Sequence, residues 1–169
     1  MKRASFSLAV LAASTLTVSP LAQTPAPGAK PAAPAAAAPA AGQARTIEMD
    51  ATDQMKFSVT TINAKPGEQI RVRLRIVSTM PKAAMSHNFV LLNAGVNFTE
   101  FANDAMMAAA TGYIPAARKG QVHAATPLGG GGETVEVTFK APAKAGSYTY
   151  ICTFPGHAAA GMRGTLIVK

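Results

Sequence analysis

From Arg45 onward, apolar and polar residues alternate in short runs broken by turn residues, a period of two that specifies strands with one buried face. Residues 69–78 show it most plainly. Ile70, Val72, Leu74 and Ile76 fall on one side, and Arg71, Arg73 and Arg75 on the other. The apolar row belongs in a core, and the arginine row reads as the solvated face of a sheet. Further strands are expected over 46–50, 55–58, 59–64, 87–93, 122–127, 134–140, 147–154 and 165–169. Lys65-Pro66-Gly67-Glu68 carries turn chemistry, with proline presetting its φ and glycine free to take positive φ, and predicts a hairpin. The glycines at 129–132 predict a mobile loop.

One stretch departs from this rhythm. Residues 98–110 are rich in Ala and Met, with Phe101, Ala105 and Ala108 or Ala109 at helical spacing, which predicts a short flanking helix. Short antiparallel strands with one inserted helix give an all-β, Greek-key β-sandwich of about 100 residues or a little more.

The first quarter of the chain reads differently. Met1-Lys2-Arg3 followed by an apolar run to Val18 predicts a signal peptide over 1–22, cut after Ala22. The run is rich in Ala, Ser and Thr and falls short of the roughly 18 strongly apolar residues of a spanning helix. A retained N-terminal membrane anchor is the competing reading. Residues 23–44 are nearly all Ala, Pro, Gly and Gln, a composition that cannot bury a core and predicts a disordered tether. The folded domain is then 45–169, exported to the periplasm without stable membrane insertion of its own.

Charge narrows the partners. Formal net charge is +8, but Lys2, Arg3 and Lys30 precede the domain, where 13 basic and 8 acidic side chains leave +5. The basic residues are scattered and tryptophan is absent, so no aromatic and basic platform for nucleic acid exists. An acidic partner or an anionic surface fits better.

Cys152 is the chain's one cysteine, which rules out an internal disulfide. A lone thiol in an oxidising compartment needs a reason to stay reduced, and metal ligation supplies one. Cys152, His157 and Met162 lie within eleven residues, with Pro155-Gly156 to bend the chain and Gly161 to relieve crowding. His87 opens the run His-Asn-Phe-Val-Leu-Leu and can reach in from a neighbouring strand. Singly, each has an ordinary explanation: a buried thiol, a turn histidine, a core methionine. Jointly, two imidazoles, a thiolate and a thioether form the donor set of a one-electron copper site. His123 has no motif around it and reads as a surface residue.

Met85-Ser-His-Asn-Phe-Val-Leu and Tyr150-Ile-Cys-Thr-Phe-Pro-Gly-His resemble the azurin and auracyanin branch of the cupredoxins. Asp53-Gln-Met-Lys-Phe, the Met106-Met107 region and Gly164-Thr-Leu extend the resemblance over 45–169. It implies a sandwich of about eight strands with one type 1 copper ion near one end. His87, Cys152 and His157 would be equatorial ligands, Met162 the axial one, and the Ser86 carbonyl a weak contact opposite Met162. Glycine is usual at the position of Ser86. Asn88 would tie the ligand loops together through the backbone around Thr153, and the amides of Asn88 and Phe154 would point at the Cys152 sulfur. Met55, Met85, Ala159 and Ala160 would form an apolar docking collar around His157. Azurins place three residues between the second histidine and the methionine. Here there are four, residues 158–161, the auracyanin and plastocyanin spacing, which implies a closer Met162.

The expected function is a monomeric blue-copper electron carrier, not an enzyme. It would dock transiently with redox proteins such as a cytochrome or an oxidoreductase. Copper storage or delivery by the same residues is the rival. Copper oxidases and nitrite reductases need more histidines than the three present, and a Cys-His hydrolase would need orienting groups that the sequence does not offer.

Overall fold

The computed structural model describes residues 43–169, so the expected signal peptide and all but the end of the expected tether lie outside the described residues. In chain order the strands are β1 Arg45–Thr52, β2 Lys56–Phe57, β3 Thr61–Ala64, β4 Gln69–Val77, β5 Ser86–His87, β6 Val90–Leu92, β7 Val122–Ala125, β8 Gly129–Gly130, β9 Thr134–Lys140, β10 Gly146–Ile151 and β11 Arg163–Val168. Helix α1, Phe98–Ala105, falls between β6 and β7. One sheet has the order β2-β1-β4-β9, the other β3-β11-β10-β6-β7, and β5 pairs with β8 apart from both. The protein is an all-β sandwich.

Alternation in β4 places its residues as expected. Ile70, Val72, Leu74 and Ile76 are buried in a cluster with Met49 and Phe57 from their own sheet and Ile62, Tyr150 and Leu166 from the facing one. On the outer face Arg73 donates to Glu136 (2.6 Å) and Glu48 (2.9 Å), and Arg75 donates to both carboxylate oxygens of Asp50 (2.8 Å each). The arginine row is therefore a cross-strand ion-pair ladder, not a basic patch.

Four local expectations need correction. The turn at Lys65 forms, with the Glu68 amide donating to the Lys65 carbonyl at 3.1 Å and Gly67 at φ 72°, but it closes no hairpin. It is a corner: β3 pairs with β11 in one sheet, and β4 with β1 and β9 in the other. Both segments bury an apolar face, and placing those faces opposite one another fills the core between the sheets. Pairing is also not purely antiparallel, since β1 runs parallel to β4 and β3 parallel to β11. The strand expected over 87–93 breaks at Asn88 and Phe89, and residues 86–92 are buried without alternation. The glycines expected to form a mobile loop instead begin with strand β8, whose two residues are buried.

Helix α1 starts where Asn97 Oδ1 accepts from the amides of Thr99 (3.0 Å) and Glu100 (3.3 Å). It buries Phe101 against Val90, Leu92 and Ile151, buries Ala105 as well, and stops at Ala105 rather than 110. Beyond that point its apolar residues have no core to cover, and Met107 is 91% exposed.

Gly164 sets the spacing of the core where β11 pairs with β10. A Cβ there would lie 2.2 Å from the Tyr150 hydroxyl, which donates to the Val59 carbonyl at 2.7 Å. Gly164→Ala is expected to lower stability by about 3 kcal/mol, read from the midpoint of denaturant unfolding.

Candidate metal centre

Three strand ends converge on one buried point. Cys152 follows β10 directly, and its amide donates to the Met162 carbonyl (3.1 Å) just before β11 begins, closing the intervening loop at its root. Within that loop Gly156 takes φ 83°, the His157 amide donates to the Phe154 carbonyl (3.1 Å), and the Met162 amide donates to the His157 carbonyl (2.9 Å). These bonds turn His157 back toward Cys152.

His87 arrives from the other side on β5, paired with Gly129 of β8. A side chain on either β8 glycine would collide, at 2.7 Å, with Ile76 from position 129 or with Lys82 from position 130. Glycine is needed here for close approach, which a sequence reading cannot separate from glycine used for freedom.

The Cys152 sulfur lies 3.5 Å from His157 Nδ1, 3.9 Å from His87 Nδ1 and 4.0 Å from the Ser86 carbonyl oxygen. Cys152 and His87 are fully buried and His157 is 3% exposed. Metal bonds of about 2.0 Å to nitrogen and 2.3 Å to sulfur, set 110–120° apart, would place each nitrogen roughly 3.5–3.7 Å from the sulfur. Both histidine nitrogens therefore lie near ligand distance from the sulfur, and the three donor atoms fall within 4.8 Å of one another. Met162 is fully buried in the same core cluster as Cys152.

The electrostatics suit a cation. Burial pushes the Cys152 thiol up to about 11, against the pull of backbone amides from Asn88 and Phe154 that donate to its sulfur. Burial, then the neighbouring His87, holds His157 down at about 4. His87 is lowered by burial and partly restored by the charge of Asp53. Both rings are therefore neutral at pH 7, as metal ligation requires. His87 Nε2 and Asp53 Oδ1 are buried without hydrogen-bond partners.

Asn88 ties the two ligand segments together. Its Oδ1 accepts from the Thr153 amide at 2.8 Å, and its Nδ2 donates to Thr153 Oγ1 (2.8 Å) and the Gly112 carbonyl (3.3 Å). Asn88→Ala would strand the buried Thr153 amide and is expected to cost roughly 2–3 kcal/mol of stability and to speed copper loss to a chelator. Phe154 lies tilted against the His157 ring at 4.8 Å and makes an edge-on contact with Tyr113 at 5.2 Å. Tyr113, held at φ 62°, went unnoticed in the sequence, where nothing ties it to the loop. Met55 and Met85 are half-buried, Ala159 and Ala160 exposed, and Lys56 Nζ donates to the Ala160 carbonyl at 3.3 Å. His123 lies outside the site, on the surface, bonded to the Lys140 carbonyl and set edge-on to Phe139.

A β-sandwich with a buried Cys-His-His cluster at one end, sealed by a methionine-ended loop, defines a single-copper protein. The chain belongs to the plastocyanin/azurin family of copper binding proteins, whose profile matches residues 43–169. It is 39% identical over 127 residues to auracyanin-A of Chloroflexus aurantiacus, covering 73% of this chain and 74% of that protein. It is 34% identical over 124 residues to azurin of Bordetella pertussis, covering 72% and 81%. The solved structure of auracyanin A, described as a "blue" copper protein, superposes with a TM-score of 0.65 at 36% identity, covering 75% of this chain and all of that one. The cofactor is one type 1 copper ion.

Proposed function

We propose that this protein shuttles single electrons between periplasmic redox partners. In this reading His87, Cys152 and His157 are the equatorial copper ligands, Met162 the axial thioether and the Ser86 carbonyl a weak contact. The observation that carries the reading is the buried triad of Cys152, His87 and His157, whose donor atoms lie within 4.8 Å of one another. Bound copper supplies a one-electron couple between Cu(I) and Cu(II). The protein supplies rigidity: Asn88 locks the two ligand segments together, and the amides of Asn88 and Phe154 hold the sulfur.

His157 is the point of exchange. It sits next to the exposed Ala159 and Ala160, and with half-buried Met55 and Met85 these residues would give a partner a small apolar footing. An acidic surface on that partner would complement the domain's excess of basic side chains, because the arginines of β4 are already paired within the protein. Transient docking with a cytochrome or an oxidoreductase by a monomeric carrier fits this arrangement.

Visible absorption, electron paramagnetic resonance and voltammetry of the copper-loaded protein test the proposal. An intense thiolate-to-copper band with a reversible couple is the expected result. A colourless copper(II) form, or loss of metal on reduction, would overturn the carrier and favour storage or delivery.

A further inference from the structure

The segment that carries Ser86 and His87 is short, and its pairing with β8 spans only two residue pairs. A second set of contacts closes around it. The Ser86 hydroxyl donates to the Lys82 carbonyl. Lys82 Nζ donates to both carboxylate oxygens of Glu133, at 2.8 and 3.1 Å. Glu133 Oε2 accepts from the Gly130 amide at 3.0 Å, and the Glu133 amide donates to the Gly130 carbonyl at 3.0 Å. Gly130 is the β-partner of Ser86, which completes the ring.

The ring is anchored to the main sheet. Ile76 of β4 donates to the Glu133 carbonyl at 2.9 Å and accepts from the Gly132 amide at 3.0 Å. The Lys82 side chain lies flat over Gly130, where an added Cβ would meet three of its carbons within 2.9 Å.

We infer that Lys82 and Glu133 are positioning residues for the copper site, a clamp that, with the Ser86 hydroxyl, fixes how closely the Ser86 carbonyl approaches the metal. This rests on the reading of that carbonyl as a weak copper contact. Glycine could not make the hydroxyl bond, so serine here adds a constraint on the carbonyl. An ion pair as exposed as this one, 52% and 47%, adds little to global stability, so its effect falls on geometry.

The test uses the full chain, copper-loaded and cobalt(II)-substituted, in the parent and in K82M, E133Q, the double variant and K82R. Nuclear magnetic resonance of the cobalt form reads the hyperfine shift of the Ser86 α proton. Absorption and paramagnetic resonance of the copper form read the site directly. A large Ser86 shift is expected in the parent and a reduced one in K82M and E133Q. The double variant should lose no more than either single change, because both break one contact, and K82R should restore the shift. Thermal midpoints should stay close to the parent's. A large parent shift left unchanged in K82M and E133Q would overturn the clamp while leaving the carbonyl contact standing. Absence of a Ser86 shift in the parent, with His87 and Cys152 protons strongly shifted, would overturn the carbonyl contact and the clamp with it.

Discussion

Substituting Cys152 by Ser is expected to abolish the intense visible band of the copper(II) protein and to weaken copper binding by orders of magnitude. The thiolate is the soft donor on which both properties depend, and no other sulfur atom in the chain belongs to a cysteine. A serine hydroxyl at this buried position does not ionise near neutral pH and leaves two imidazoles as the strong ligands. The fold should persist. The substitution is nearly isosteric, and the amides of Asn88 and Phe154 that donate to the sulfur can donate to an oxygen instead, so metal-free stability should change by about 1 kcal/mol or less. Absorption spectra and copper titrations of the variant, set beside its unfolding curve, separate loss of the site from loss of the fold.

The second large effect is the response of copper affinity to pH. Burial raises the thiol to about 11, lowers His157 to about 4 and lowers His87 as well, so around neutral pH the metal-free site holds one proton, on sulfur. Copper must expel it, and around neutral pH affinity should fall tenfold for each unit of decreasing pH, with one proton released per ion bound. At lower pH the imidazolium of His87, and below about pH 4 that of His157, also compete, and the dependence should steepen there. Exposed imidazoles would bring that break at about 6.5. Titrations against a chelator of known proton affinity locate it.

The same shifts bear on the metal-free fold with opposite signs. His157 is depressed, so stability is lost as pH falls below the unfolded imidazole value of about 6.5 toward about 4, where only the unfolded chain takes up the proton. Cys152 is raised, so stability is lost as pH rises past the ordinary thiol value toward about 11.

The features legible in the sequence were those in which one residue type has one physical use in its setting. Alternation in β4 assigns its faces because a strand with arginine at every second position has a single way to bury the others. The eleven residues from Cys152 to Met162 were legible because the chain itself holds the donors close, leaving only His87 to be brought in by folding. Turn chemistry at Lys65 identifies a turn, yet a four-residue turn serves a corner between sheets as well as a hairpin, and the decision rests with the partners of β3 and β4. Glycines 129 and 130 misled because the absence of a Cβ permits both looseness and tight packing, and only the neighbours, Ile76 and Lys82, settle which. Tyr113, Lys82 and Glu133 carry no local signal at all, since their roles depend on contacts across the fold.

The bond between the Cys152 amide and the Met162 carbonyl separates two kinds of inheritance. Apart from the segment that brings in His87 and its supports, what lies outside it belongs to the scaffold, where a lengthened strand or a new side chain is judged by the core. Everything inside it is judged by the metal, and a residue gained or lost there costs the sheets little, because closing a slightly longer loop takes only tenths of a kcal/mol, roughly. The fourth residue between His157 and Met162 sits within that enclosure. A lineage can thus retune the site by changing the length of a loop while the sandwich that carries it stays the same.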